Sequence, residues 1–155
     1  MATITIDDSK IRRLYKTAGQ EFKELLEAEF GPKFFSGDIT GRILSFEDAC
    51  AEVGKDPHDR FFSEARPHEN AIRKIEVWAL ALNEGNVLSY TDPSTEKWRV
   101  WVVYDESISG FRLCAVDYDG TGTYSGLGSR TAFASEKLAR HFAKHAMPLI
   151  NESLA

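Results

Sequence analysis

Apolar residues recur at three- and four-residue steps between residues 9 and 30, at Ile11, Leu14, Tyr15, Ala18, Phe22, Leu25, Leu26 and Phe30. That spacing places them on one side of a single helix. Asp7, Asp8 or Ser9 can cap its start. Gly31-Pro32 ends it, because glycine accepts a left-handed turn and proline cannot continue the ladder. Residues 33–44 carry no regular pattern. Ser45 and Asp48 then give a capping box for a short helix with Phe46, Ala49, Cys50 and Val53 on its apolar side, stopped at Gly54. Phe61-Phe62 anchors the following stretch to the core. Pro67 suits the first turn of a third helix, whose stripe is Ala71, Ile72, Ile75, Trp78, Ala79 and Leu82, closed by Gly85. Leu80 and Ala81 widen that stripe and predict the most buried of the helices.

Beyond Gly85 the period changes from 3.6 to 2. Residues 97–104 alternate: Trp98, Val100, Val102 and Tyr104 face one way, Arg99, Trp101 and Val103 the other. Ser107 to Gly110 turns the chain, and residues 111–118 read as a second strand. A glycine-rich loop through Gly120 and Gly128 leads into a third strand over residues 130–133. Ser135 caps a last helix from 136 to about 150, with Leu138, Phe142, Ala146 and Leu149 or Ile150 as its stripe. Pro148 kinks or ends it. Helices first, then a three-stranded antiparallel meander packed by a C-terminal helix, is an α+β arrangement. The expected organisation is one domain over residues 1–155, helical over about 9–85, with the sheet and last helix over about 96–150.

The 155 residues carry 19 Lys and Arg against 24 Asp and Glu, a formal charge of −5. Nucleic-acid phosphates and anionic membrane surfaces favour basic proteins, so the global field argues against both partners. No basic segment precedes a long apolar run at the start, and no stretch is apolar enough to span a bilayer, which leads us to expect a cytoplasmic protein. Virion association and homo-oligomers are compatible with it. Cys50 and Cys114 are expected to be two free, buried thiols in a reducing compartment, with a single bridge left open.

Four constellations could carry chemistry. His141 and His145, spaced i, i+4, can reach one metal ion, but the motif HFAKH lacks the glutamate of a zinc hydrolase. Half-exposed boundary residues are the simpler reading. The glycine-rich loop is followed by a strand rather than a helix, which suits a hairpin loop better than a phosphate cradle. Ser129 and Arg130 at its end could hold an anion, with Tyr124 and Trp101 as walls. Arg99, Trp101 and Arg112 could stack and track a single nucleic-acid strand, although aromatics on a covered sheet usually fill a core. Asp105, Glu106, Asp117 and Asp119 flank turns, where acidic residues serve local hydrogen bonds. No nucleophile elbow is present, and no cofactor is expected.

Two segments, Ile39 to Cys50 (ITGRILSFEDAC) and Gly128 to Ala139 (GSRTAFASEKLA), resemble the recurring segments TxRIxTFEDAC and GSRLCFKSxELA. They belong to a family of small hypothetical proteins of Bacteroidetes genomes, prophages and crAss-like gut phages. ALNEG before an aromatic strand pair is also similar, at Ala81 to Gly85. The chain departs from that family at Asn86-Val87 and in the strand from Trp98 to Trp101. The resemblance implies a mobile-element setting and carries no activity. The expected function is a non-enzymatic phage- or mobile-element-associated accessory protein that binds a protein or a small anionic ligand. A single-stranded nucleic-acid-binding module and a metal-dependent hydrolase are the alternatives.

Overall fold

The computed structural model describes residues 6–89, 91–119 and 129–155. In chain order it contains α1 (Asp8–Thr17), α2 (Gln20–Phe30), α3 (Pro32–Ser36), α4 (Ile39–Arg42), α5 (Phe46–Val53) and α6 (Pro67–Leu82). Strands β1 (Trp98–Asp105) and β2 (Gly110–Tyr118) follow, then α7 (Glu136–Leu154). Single 3-10 turns lie at Arg60–Phe62 and Ser129–Thr131.

The core forms where α5, α6 and α7 meet. Trp78 of α6 packs edge-on against Phe142 of α7, and Phe133 stacks on the same Phe142 ring. Ile43, Cys50, Leu82 and Ala139 fill in around them, all buried. Eight residues of α6 are buried, as its broad apolar arc requires. Ile72 is a correction: it is 41% exposed, and Val77 and Ala81 take the buried positions instead. The Ser45 capping box is present: Ser45 Oγ accepts from the Asp48 amide at 3.1 Å, and Asp48 Oδ2 accepts from the Ser45 amide at 3.0 Å. Gly54 ends α5 in the left-handed region, φ 70°, where a Cβ would stand 2.7 Å from Asp7 Cβ. In α7, Ala146 leaves helical geometry two residues before Pro148, which has no N–H to give the preceding turn.

The single helix expected over residues 9–30 is broken. Ala18 is extended, with ψ 149°, and Gly19 serves as N-cap of α2. The break lets Tyr15 stack on Phe35 at 4.1 Å while Phe30 packs on Phe34, a small aromatic cluster built across α1, α2 and α3. Residues expected to be irregular, 33–44, hold most of α3 and all of α4. This N-terminal layer is tied to α5 through Glu52, which is 5% exposed and paired with Arg12 and, at 3.5 Å, with Arg42. Arg12 also donates to the Phe34 carbonyl at 3.0 Å and lies 4.1 Å over the Phe34 ring.

Among the described residues the three-stranded meander is not found. Their sheet has two antiparallel strands, with a bulge where Trp101 pairs Ala115 and Val102 pairs Leu113. Cys114 is the extra residue. The bulge shifts side-chain parity, so Phe111 and Leu113 before it and Val116 and Tyr118 after it share the face of Trp98, Val100, Val102 and Tyr104. That face is turned to the core and α7. The segment expected as a third strand makes a 3-10 turn and then one bridge, in which Phe133 and Trp98 exchange both backbone hydrogen bonds. Pairing cannot extend beyond that bridge, because Ser129–Thr131 form the 3-10 turn on one side and Ser135 caps α7 on the other. On the edge away from β1, the Asn83 amide donates to the Ala132 carbonyl at 2.9 Å and accepts from the Ala134 amide at 2.8 Å. A buried side chain thus does for residues 132 and 134 what a neighbouring strand would otherwise do. The glycine-rich loop, with Gly120 to Gly128, lies outside the described residues.

Candidate anion-binding groove

Residues Arg73, Glu76, Val77, Leu80 and Asn83 follow one another along one flank of α6, at the three- and four-residue steps that keep them on one side of a helix. Opposite them lie Lys55, just past the Gly54 stop of α5, Phe61 of the first 3-10 turn, Val87 and Leu88 after α6, and Arg130 of the second 3-10 turn. Together they line a groove of about 350 Å³, within the size range of small-molecule sites. From Arg73 to Asn83 the flank runs about 15 Å at the helical rise.

The walls are mixed by design of the local fold. Val77 and Leu80 are the outer edge of the α6 arc that fills the core, and Leu88, buried after the helix ends, adds to the wall. Asn83 and Asn86 are spoken for: Asn83 holds residues 132 and 134, and Asn86 donates to the Asn83 carbonyl at 2.9 Å. Arg73 lies 4.3 Å over the Phe61 ring, donates to the Phe61 carbonyl at 2.6 Å and approaches Glu64 at 3.3 Å. Lys55 and Arg130 have no carboxylate within ion-pair distance among the described residues. Three cations therefore meet one lining acid, Glu76, on a chain whose overall charge is −5.

Of the candidate site residues that are described, Arg130 lines this groove, and Arg99, Trp101 and Arg112 do not. Ser129 begins the turn that carries Arg130. Tyr124 lies outside the described residues. Trp101 is 57% exposed on the outer face of the hairpin, away from the groove lining. Arg99 stands on that same face and is paired with Asp119 at 2.6 Å; Arg112 is paired with Asp105 at 2.9 Å. Two of the four acidic candidates are thus the partners of the two candidate arginines. Asp105 also accepts from Ser107, which together with Arg112 holds its carboxyl below the usual range.

His141 and His145 do come together, with ring centroids 4.5 Å apart. His141 Nε2 is hydrogen-bonded to the Ile43 carbonyl at 2.6 Å, a structural tie between α7 and the end of α4. Burial, with the neighbouring His141 and Lys144, pushes the His145 pKa down. No group of three or more ligating side chains surrounds them among the described residues. The expectation of two buried thiols is half corrected: both are free, Cys50 is buried and Cys114 is exposed at the bulge. Burial pushes the Cys50 thiol up to about 11.

Sequence reasoning missed Lys55, Arg73 and the role of Asn83. Their elements are far apart in the chain, and only the α6 spacing of Arg73, Val77 and Leu80 hinted at a shared face. Comparison with protein-family models, with curated proteins and with solved structures gives no significant match. No described helix is long and apolar enough to cross a membrane.

Proposed function

We propose that this protein is a non-enzymatic binding module, and that the groove along α6 takes a small ligand with an anionic head and an apolar body. The observation that carries the reading is that Lys55, Arg73 and Arg130 line one groove with apolar walls, two of the three without a carboxylate partner among the described residues. An unpaired cation beside low-dielectric walls attracts an anion more strongly than one in open water. Val77, Leu80, Val87 and Leu88 supply the apolar contact. The acidic surface elsewhere disfavours non-specific anion binding and leaves the groove as the favoured location. The resemblance of ITGRILSFEDAC and GSRTAFASEKLA to segments of gut-phage proteins supports a mobile-element setting, which the neighbouring genes of the source genome test.

Decanoate is a fitting probe, being a carboxylate on an apolar chain. In isothermal titration we expect about one decanoate per chain, with affinity falling on added salt. The double variant Lys55→Ala/Arg130→Ala should lose at least about tenfold, since a charge-assisted hydrogen bond contributes about 1.5–3 kcal/mol. Decanoate that fails to bind the native chain, or binds the double variant as tightly, overturns the reading.

A further inference from the structure

The helix α2 has no buried residue, although its sequence QEFKELLEAEF carries apolar residues at helical spacing. Leu25 is 65% exposed, and Phe22, Phe30 and Leu14 of α1 are each more than 40% exposed. An amphipathic helix gains its stability mainly by burying its apolar side, so an uncovered one implies something that covers it. The charges say what. Helix α1 holds Lys10, Arg12, Arg13 and Lys16 against Asp8, a net charge of +3. Helix α2 holds Glu21, Glu24, Glu27 and Glu29 against Lys23, a net charge of −3. Within one chain the charges of the two helices do not pair with each other, although Lys10 pairs with Asp7 and Arg12 with Asp8. Arg12 turns inward to Glu52, Glu27 accepts from Tyr15, and Lys16 reaches Glu84 beyond α6. No ion pair joins α1 to α2 among the described residues.

We propose that the α1–α2 face is the contact surface for a second copy of this chain, with α1 of one copy lying against α2 of the other. A two-fold axis makes both contacts at once, because an isologous interface meets its own surface turned around. Like-on-like pairing would set a basic helix against a basic one and an acidic helix against an acidic one; crossed pairing sets the exposed Arg13 and Lys16 of α1 against the Glu21 and Glu24 end of α2 while covering Leu14, Phe22 and Leu25. The two helices are only about 15 Å long, so the contact falls below the roughly 800 Å² per partner of a standard interface. The dimer is therefore weak and concentration-dependent.

Sedimentation of the full chain between about 10 μM and about 1 mM tests this. A reversible monomer–dimer equilibrium is expected, abolished in Leu25→Glu, a solvent-exposed change that leaves the circular dichroism spectrum intact. Reversing α1 alone, Arg13→Glu/Lys16→Glu, should weaken association at least about tenfold, and so should reversing α2 alone, Glu21→Lys/Glu24→Lys. The four changes together should restore it. A chain that stays monomeric throughout, a dimer untouched by Leu25→Glu, or a fourfold variant no better than either half overturns the proposal.

Discussion

The α6 groove and the outer face of the β-hairpin carry similar side chains: two or three cations, an aromatic ring and β-branched neighbours. On the hairpin, Arg99 meets Asp119 and Arg112 meets Asp105, so the face around the exposed Trp101 is close to neutral. In the groove, Lys55 and Arg130 meet no carboxylate among the described residues, and Glu76 is outnumbered. Residue type is thus a poor guide to an anion site; pairing decides. The hairpin spaces its charges on adjacent strands, where an opposite-sign partner is always a few ångströms away. The groove draws its cations from the end of α5, the middle of α6 and the turn before α7, and of the described acids on those elements Glu76 alone lines it.

The change expected to separate the two regions most is Asn83→Ala. It strips the Ala132 carbonyl and the Ala134 amide of their buried partner, which should cost about 2–4 kcal/mol in urea unfolding. Arg130 sits two residues before that clamp, so the same variant should also lose decanoate binding; the paired arginines of the hairpin have no such dependence. Next comes the single-site comparison. Arg130→Ala should weaken decanoate binding about tenfold, whereas Arg112→Ala should leave it unchanged and move stability by no more than about 0.5 kcal/mol.

The two thiols sharpen the contrast further. Cys50 lies under the turn that carries Lys55, and its raised pKa means that the folded chain keeps a proton that the unfolded chain gives up. Stability from this group is present below the unfolded value of 9.0 and lost as pH rises toward about 11, roughly 1 kcal/mol by pH 10. The unfolding midpoint should fall more steeply above pH 9 in the native chain than in Cys50→Ala. Cys114, at the hairpin bulge, should be the one thiol that an added disulfide reagent modifies in the folded protein. The smallest effect is a gain. Glu84, just past α6, holds a positive φ of 54° in the turn that leads to Asn86 and Val87. Glu84→Gly should stabilise by about 0.5–1 kcal/mol in thermal melts, less the small contribution of its surface pair with Lys16.

What could be read directly from the chain was what local chemistry decides. The Ser45 box, the Gly54 stop, Pro67 at the start of α6, the Ser135 cap and the Pro148 kink each depend on residues within one turn of each other. The break at Ala18-Gly19 was hidden because Leu14, Ala18 and Phe22 keep helical phase across it. The third strand shrank to one bridge because the 3-10 turn at Ser129–Thr131 and the Ser135 cap leave no room to extend it, and the outer edge at residues 132 and 134 is taken by Asn83, far back in sequence. The bulge at Cys114 was invisible too, since its effect on parity appears only once Trp101 is set opposite Ala115. In the site, Arg130 stood out as a cation after a glycine-rich loop. Lys55 and Arg73 did not, because nothing short of the packed fold brings three separate elements to one groove.

The most direct measurement is a backbone-amide NMR titration of the native chain with decanoate. Binding in the groove predicts saturable shifts at Val77, Leu80, Asn86, Leu88 and Arg130, with Trp101 and Val103 of the hairpin unmoved. Shifts centred on the hairpin face, or on α2, or none at all, would contradict the account.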